Sequence, residues 1–214
     1  MKAFVVTAPK TFEIQEVAEP KAGPGELVAQ IERVGICGTD VEFFDGVMPY
    51  LHDGQAKLPM RLGHEWSGTV IEVGAFVQTL KVGDRVLAMP SNGGLAEQIS
   101  LSASRCLVIP DHLSFPAAAS FLVNYCTAHH GLITCGALTA SDTVLILGAS
   151  GGVGVAAIDV AKSHGAHVIA AASTPEKVQA AITAGADEGL LYSAADWRDQ
   201  LKTLLAGRAL TVVY

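Results

Sequence analysis

Short runs in which apolar and polar residues alternate fill the first half of the chain, at 3–7, 12–16, 27–34, 66–73, 85–88, 97–101 and 105–109. Alternation sends successive side chains to opposite faces, so each run predicts a strand with one face buried. Turn residues punctuate them, at Pro9-Lys10, across 20–25 and at Gly83-Asp84. Many short strands at close intervals predict a compact β barrel.

The pattern changes after Pro110. Ser114 is placed to cap an Ala-rich helix with Pro116 in its first turn. Longer apolar runs then alternate with helical periodicity: a strand at 144–147, a helix at 152–164 and a strand at 167–172. A helix follows at 174–184, with Thr174 as cap, Pro175 at its first position and Gly185 beyond its end. A strand at 187–192, a helix at 194–206 and a strand at 210–214 complete the series. Strands alternating with helices predict a parallel sheet with right-handed crossovers. Two domains are therefore expected, 1–113 and 114–214, the second an α/β doubly wound domain.

Between the 144–147 strand and the following helix lie Gly148, Ser150, Gly151, Gly152, Val153 and Gly154, spaced G-x-x-G-x-x-G with one additional glycine. A glycine turn that opens a helix lets a ligand approach the backbone and offers unpaired N–H groups to an anion. The strand–turn–helix–strand order favours a dinucleotide pyrophosphate site over an ordinary tight turn. An NAD(H) site usually carries an acidic residue at the end of the second strand, for the ribose 2′-hydroxyl. Here that strand ends in Ser173 and Thr174, with no carboxylate before Glu176, and Lys177 follows. Hydroxyls beside a lysine suit a 2′-phosphate, so NADP(H) is expected. Thr174 as a helix cap and Lys177 as a solvated helix residue is the alternative.

Composition narrows the field. Half of the 214 residues are hydrophobic and 16% are charged, with a formal net charge of −7 and no basic stripe. A nucleic-acid partner is not expected. Four cysteines (Cys37, Cys106, Cys126 and Cys135) form no framework, as in a reducing compartment. The first residues form no signal peptide, and no uninterrupted apolar stretch reaches the length of a membrane span. Cytoplasmic localisation is expected.

Candidate chemistry lies at Gly35-Ile-Cys37-Gly-Thr39-Asp40 and Leu62-Gly63-His64-Glu65. A thiolate, an imidazole and a carboxylate are ligand types that one zinc accepts together, and a catalytic zinc needs only three protein ligands. Cys37 as a small buried residue and His64 as a core histidine is the other reading of the same residues. These two motifs resemble the medium-chain, zinc-type alcohol dehydrogenase family, as do the run from Gly63 through Gly74 and Lys81-Val-Gly-Asp-Arg-Val86. Their order and separation match, as does the later glycine turn.

The resemblance implies a GroES-like catalytic β barrel followed by a partial Rossmann domain, with the active site in the cleft between them. It implies Cys37, His64 and Glu65 as ligands of one catalytic zinc. Thr39 would hydrogen-bond the substrate oxygen, and Asp40 would orient the ligand histidine. Thr127 would pack on the nicotinamide, and Tyr192 would contact the 2′-phosphate. Three departures stand out. Val123 occupies the position of an additional zinc ligand. The four-cysteine lobe is replaced by the short segment 89–97, so no structural zinc is expected. Asn124-Tyr-x-Thr127 and the glycine spacing look more like the metal-independent quinone and enone reductases.

The leading expectation is a zinc-dependent, NADPH-preferring oxidoreductase acting on a small alcohol or carbonyl substrate, with no membrane partner. A metal-independent quinone or enone reductase competes on the same scaffold, and a nucleotide-binding protein without turnover is the third possibility. The chain stops in its fourth Rossmann-type strand, so it reads as a fragment. The full-length form is expected to be a homo-oligomer, as the resemblance implies.

Overall fold

In the computed structural model, which describes residues 1–214, the alternating runs of the first half form antiparallel sheets. Strands β1 (Lys2–Ala8) and β2 (Thr11–Glu16) form a hairpin. After β3 (Glu26–Val34) come two short helices, α1 (Gly38–Asp45) and α2 (Pro49–His52), then β4 (Met60–Arg61) and β5 (Trp66–Val73). Strands β6 (Arg85–Ala88), β7 (Gln98–Ser102) and β8 (Cys106–Val108) complete the set. One sheet has the order β2-β1-β4 and the other β7-β3-β5-β6-β8. Inward positions of the larger sheet supply the core, with Leu27, Ala29, Trp66, Val70 and Val86 almost wholly removed from water. Truncating such a core residue as Trp66 to alanine costs about 3–5 kcal/mol. Helix α3 (Phe115–Ala119) starts where Ser114 accepts a hydrogen bond from the Ala117 N–H, and it packs on β5, β3 and β6. These elements form one unit, Met1–Leu122.

The second unit, Val123–Tyr214, carries the alternating strands and helices. Helix α4 (Phe121–His129) runs into it and continues as a π-type turn, His130–Cys135. Strand β9 (Thr143–Leu147), helix α5 (Gly152–Ser163), strand β10 (His167–Ala172) and helix α6 (Pro175–Thr183) follow. Then come β11 (Glu188–Leu191), α7 (Trp197–Leu205) and β12 (Val212–Val213). All strand pairs are parallel, in the order β11-β10-β9-β12. The first strand thus sits between the second and the fourth, which is the centre of a doubly wound sheet. Alanines make close packing possible: Ala156, Ala157 and Ala161 of α5 are buried with Val144, Ile146, Val168 and Ala170 of the sheet. No helix is long and apolar enough to cross a membrane.

Candidate functional site

In the first unit the antiparallel pairing of β3 with β5 ends at Val34↔Trp66. Cys37 lies three residues past Val34, and His64 lies two residues before Trp66. Strand pairing thus brings together two motifs 27 positions apart in sequence. The hydrogen bond from the Gly35 N–H to the Glu65 carbonyl, at 3.0 Å, closes this end. Gly63 has φ +85°, and a Cβ there would stand 2.5 Å from the Leu95 nitrogen, so only glycine fits.

Asp40 organises the centre. It is buried and lies in the first turn of α1. Its Oδ2 accepts from the Cys37 N–H at 3.0 Å and its Oδ1 from the Gly63 N–H at 2.9 Å. The same Oδ1 lies 3.4 Å from His64 Nδ1. Burial works to raise the Asp40 carboxyl, but the His64 contact and the two backbone N–H groups outweigh it and hold the carboxyl below its ordinary value. The hydrogen bond with Asp40 pushes His64 up to about 9, against the opposing effect of its own burial. Cys37 contributes to the same rise, and its Sγ also lies 3.9 Å from Thr39 Oγ1. Cys37, Thr39, Asp40 and His64 therefore form one cluster.

Glu65 does not join it in the manner a metal requires. Its carboxylate lies against the Gly35 backbone, where a Cβ would meet the carboxyl carbon at 2.6 Å. Its Oε2 is buried without a hydrogen-bond partner, and burial raises its pKa. No three histidine, cysteine, aspartate or glutamate side chains converge as a metal-binding group. Cys37 and His64 supply two donors, and the fit to a three-ligand zinc falls one short.

A groove of about 560 Å³ opens beside Thr39 and His64, walled by Phe43, Met48, Met60 and Met89, with Arg105 also in its lining. Tyr50 lines it too, whereas Trp66 is wholly buried in the core with its indole N–H unpartnered. The methionines are scattered along the chain and carry no periodic signal, so the sequence alone did not reveal this wall.

In the second unit Gly148, Gly151 and Gly152 are exposed at the end of β9, and Gly154 is buried. Gly151 caps α5, and the first helical hydrogen bond runs from the Val155 N–H to the Gly151 carbonyl at 2.8 Å. The N–H groups of Gly152, Val153 and Gly154 precede that bond and lie in the first turn, with Ser150 just ahead. A Cβ on Gly154 would stand 2.5 Å from the Gly148 carbonyl oxygen and 2.6 Å from Ala149 Cα. A Cβ on Gly152 would meet the Asn124 side chain at 2.7 Å, which places Asn124 beside the turn. Beyond β10, Lys177 Nζ reaches Ser173 Oγ at 3.5 Å, and Ser193 Oγ donates to the Ser173 carbonyl at 2.9 Å. Tyr192, two-fifths exposed, follows β11, and its N–H donates to the Ala172 carbonyl. Ser173, Lys177, Tyr192 and Ser193 thus share one end of the sheet. Thr174 Oγ1 accepts from the Lys177 N–H and caps α6. The Glu176 carboxyl is held below its ordinary value, first by its own backbone N–H and then by the Thr174 hydroxyl, so it belongs to the same cap. Thr127 is exposed on α4.

Residues 23–152 match the alcohol dehydrogenase GroES-like domain, and residues 152–214 match the zinc-binding dehydrogenase domain. The chain is 34% identical over 201 residues to quinone oxidoreductase-like protein 2 of Bos taurus, covering 94% of this chain and 56% of the relative. It is 30% identical over 209 residues to acryloyl-coenzyme A reductase of Sulfurisphaera tokodaii, covering 84% of this chain and 60% of that protein. Among solved structures, the Escherichia coli quinone oxidoreductase complexed with NADPH superposes with a TM-score of 0.87 at 27% identity, over 100% of this chain and 65% of the other. The chain thus spans little more than half the length of these two curated relatives.

Proposed function

The chain belongs to the medium-chain dehydrogenase/reductase family, and from that premise we propose that it serves an NADPH-dependent, metal-independent reduction of a double bond conjugated to a carbonyl, the chemistry of quinones and enones. The observation that carries this reading is the position of Glu65. Its carboxylate is buried against Gly35, which leaves Cys37 and His64 as a pair of donors where a catalytic zinc needs three. The likeness to a quinone oxidoreductase-like protein and to a quinone oxidoreductase complexed with NADPH supports it.

NADPH supplies, when bound, the hydride that such a reduction consumes. The first-turn N–H groups of α5 receive its pyrophosphate. Ser173 and Lys177, with Tyr192 beside them, hold the 2′-phosphate, and no acid competes for it because Glu176 is engaged in the cap of α6. In the first unit the Thr39 hydroxyl and a protonated His64 donate hydrogen bonds to the substrate carbonyl as negative charge develops on its oxygen. Asp40 keeps His64 protonated and fixes its orientation. Phe43 and the methionines exclude water from the substrate.

A second reading, zinc-dependent oxidation of an alcohol, draws on one feature: a buried carboxylate beside Nδ1 of a histidine that also neighbours a cysteine, as in metal sites. Metal analysis of protein purified without chelator, combined with NADPH oxidation by benzoquinone and cyclohexenone, separates the two. The first reading expects substoichiometric zinc and turnover that survives chelator. One zinc per chain, lost together with activity in Cys37→Ser, would establish the second.

A further inference from the structure

One glycine of the nucleotide turn is not required by the path of the backbone. Gly148 has φ +60°, and a Cβ on Gly154 would strike the Gly148 carbonyl oxygen and Ala149. Gly152 stands at the first position of α5, outside the left-handed region, where any residue could sit. The three nearest atoms that a Cβ there would meet all belong to one side chain. They are Asn124 Nδ2 at 2.7 Å, Oδ1 at 2.9 Å and Cγ at 3.1 Å. The two polar atoms lead and the carbon trails, so the head of the amide is turned toward the first turn of α5.

Asn124 is fixed there by its neighbour. Tyr125 packs on the core of the second unit, and its hydroxyl donates to Asp159 Oδ2 at 2.9 Å, two turns farther along α5 than Gly152. Asn124, Gly152 and Asp159 all belong to this unit. The anchored α4 thus sets the Asn124 amide over Gly152.

The amide has no partner of its own. It is half-buried, yet it forms no hydrogen bond within the chain, and no side chain caps α5 at Gly151. An asparagine carries two N–H donors and an acceptor oxygen, and polar groups withdrawn from water are ordinarily paired. No acidic residue lies in the first turn of α5. A neutral, donor-bearing group therefore stands open at the end of a helix that receives an anion.

We propose that Asn124 is a nucleotide-binding residue: its Nδ2 donates a hydrogen bond to the pyrophosphate lying on the first turn of α5, and Gly152 is glycine to make room for it. The proposal rests on the nucleotide reading of that turn given above. A donor to an ionised oxygen makes one of the stronger hydrogen bonds, and a neutral amide leaves the positive end of α5 to the phosphate.

The test is calorimetric titration of the full chain with NADPH and with adenosine 2′-monophosphate. The second ligand has the 2′-phosphate without the pyrophosphate, so it engages the Ser173 and Lys177 end alone. Asn124→Leu should weaken NADPH by about tenfold and leave adenosine 2′-monophosphate within about twofold. Asn124→Asp keeps the shape and sets a negative charge at the positive end of α5. Its ligand-free form should melt no lower than wild type, while NADPH weakens more than in Asn124→Leu. A role confined to packing α4 on α5 predicts the opposite order, with Asn124→Asp binding NADPH as wild type does, and that result would overturn the proposal. NADPH affinity within about twofold of wild type in both variants would overturn it too, as would parallel loss of both ligands. A wild-type chain that binds neither ligand would remove the nucleotide reading itself, and the proposal with it.

Discussion

Replacing Asp40 by asparagine isolates the charge at the centre of the first unit. The wild-type carboxylate accepts two backbone N–H groups and faces His64 Nδ1 at 3.4 Å. Asparagine keeps one oxygen acceptor but turns an N–H donor toward groups that themselves donate. His64 stands at about 9 against an ordinary 6.5. One pKa unit corresponds to 1.36 kcal/mol, so the rise from 6.5 to about 9 is worth at most about 3.4 kcal/mol. A raised pKa contributes stability that is fully present below about 6.5 and is lost as pH climbs through about 9. Asp40→Asn should therefore cost about 3 kcal/mol more at pH 6 than at pH 10, beyond a pH-independent loss of about 1–3 kcal/mol from the backbone hydrogen bonds. Urea unfolding in a Trp197→Phe background, which leaves Trp66 as the reporter in the core of the same unit, measures both. Histidine NMR of the variant should show His64 titrating near its ordinary value. An equal cost at both pH values, or a His64 that still titrates near 9 without the carboxylate, would refute the reasoning.

Other expectations follow from single contacts. Lys177→Ala should weaken NADPH by about tenfold and NADH by less than about twofold, read from nucleotide fluorescence; equal losses would remove the phosphate role from Lys177. Gly154→Ala should destabilise the second unit by about 2 kcal/mol or more, because its Cβ meets fixed backbone at Gly148 and Ala149. Gly152→Ala meets only the end of the Asn124 side chain and should stay within about 1 kcal/mol of wild type, so comparable losses in thermal unfolding would contradict the packing argument. Asp187 accepts from the Val168 N–H at 2.7 Å and pairs with Lys162, which together outweigh burial and lower its pKa. Asp187→Asn should cost about 1–2 kcal/mol at pH 7, and the difference should shrink as pH falls below the ordinary carboxylate value, as acid-titrated chemical denaturation would show.

The parts of this fold that alternate in sequence were legible in it. Strands of the first half and the β9–α5–β10 unit follow from period-two and period-3.6 patterns, because each buries one face or is buried on both. The segments between β3 and β5 were not legible. Helices α1 and α2 and the two-residue β4 are short, and their apolar residues face a groove, so no periodicity marks them. Nor could the sequence predict that Met48, Met60 and Met89 share a wall, since loops set their approach. At the nucleotide turn the glycines were legible, because their spacing is itself the constraint. Ser193 was not, nor was the placement of Asn124 beside that turn, since each enters only through a tertiary contact.

The metal-ligand motif shows where residue identity stops predicting chemistry. Cys37 and His64 meet because β3 and β5 pair at Val34↔Trp66, and any chain with that pairing brings those two positions together. Glu65 is different. It is adjacent to His64 at the entrance of a strand, where neighbouring side chains leave the backbone in opposite directions. Trp66 takes the core, and Glu65 is left against Gly35, with one oxygen unpartnered. Burial in that setting raises the pKa of the carboxyl. On the reductase reading proposed above, Cys37, Thr39, Asp40 and His64 would act without a third ligand, with the His64 pKa raised by the buried Asp40 carboxylate beside it. The same residues serve both proposed chemistries, and the two readings part at one glutamate, whose carboxylate lies against Gly35.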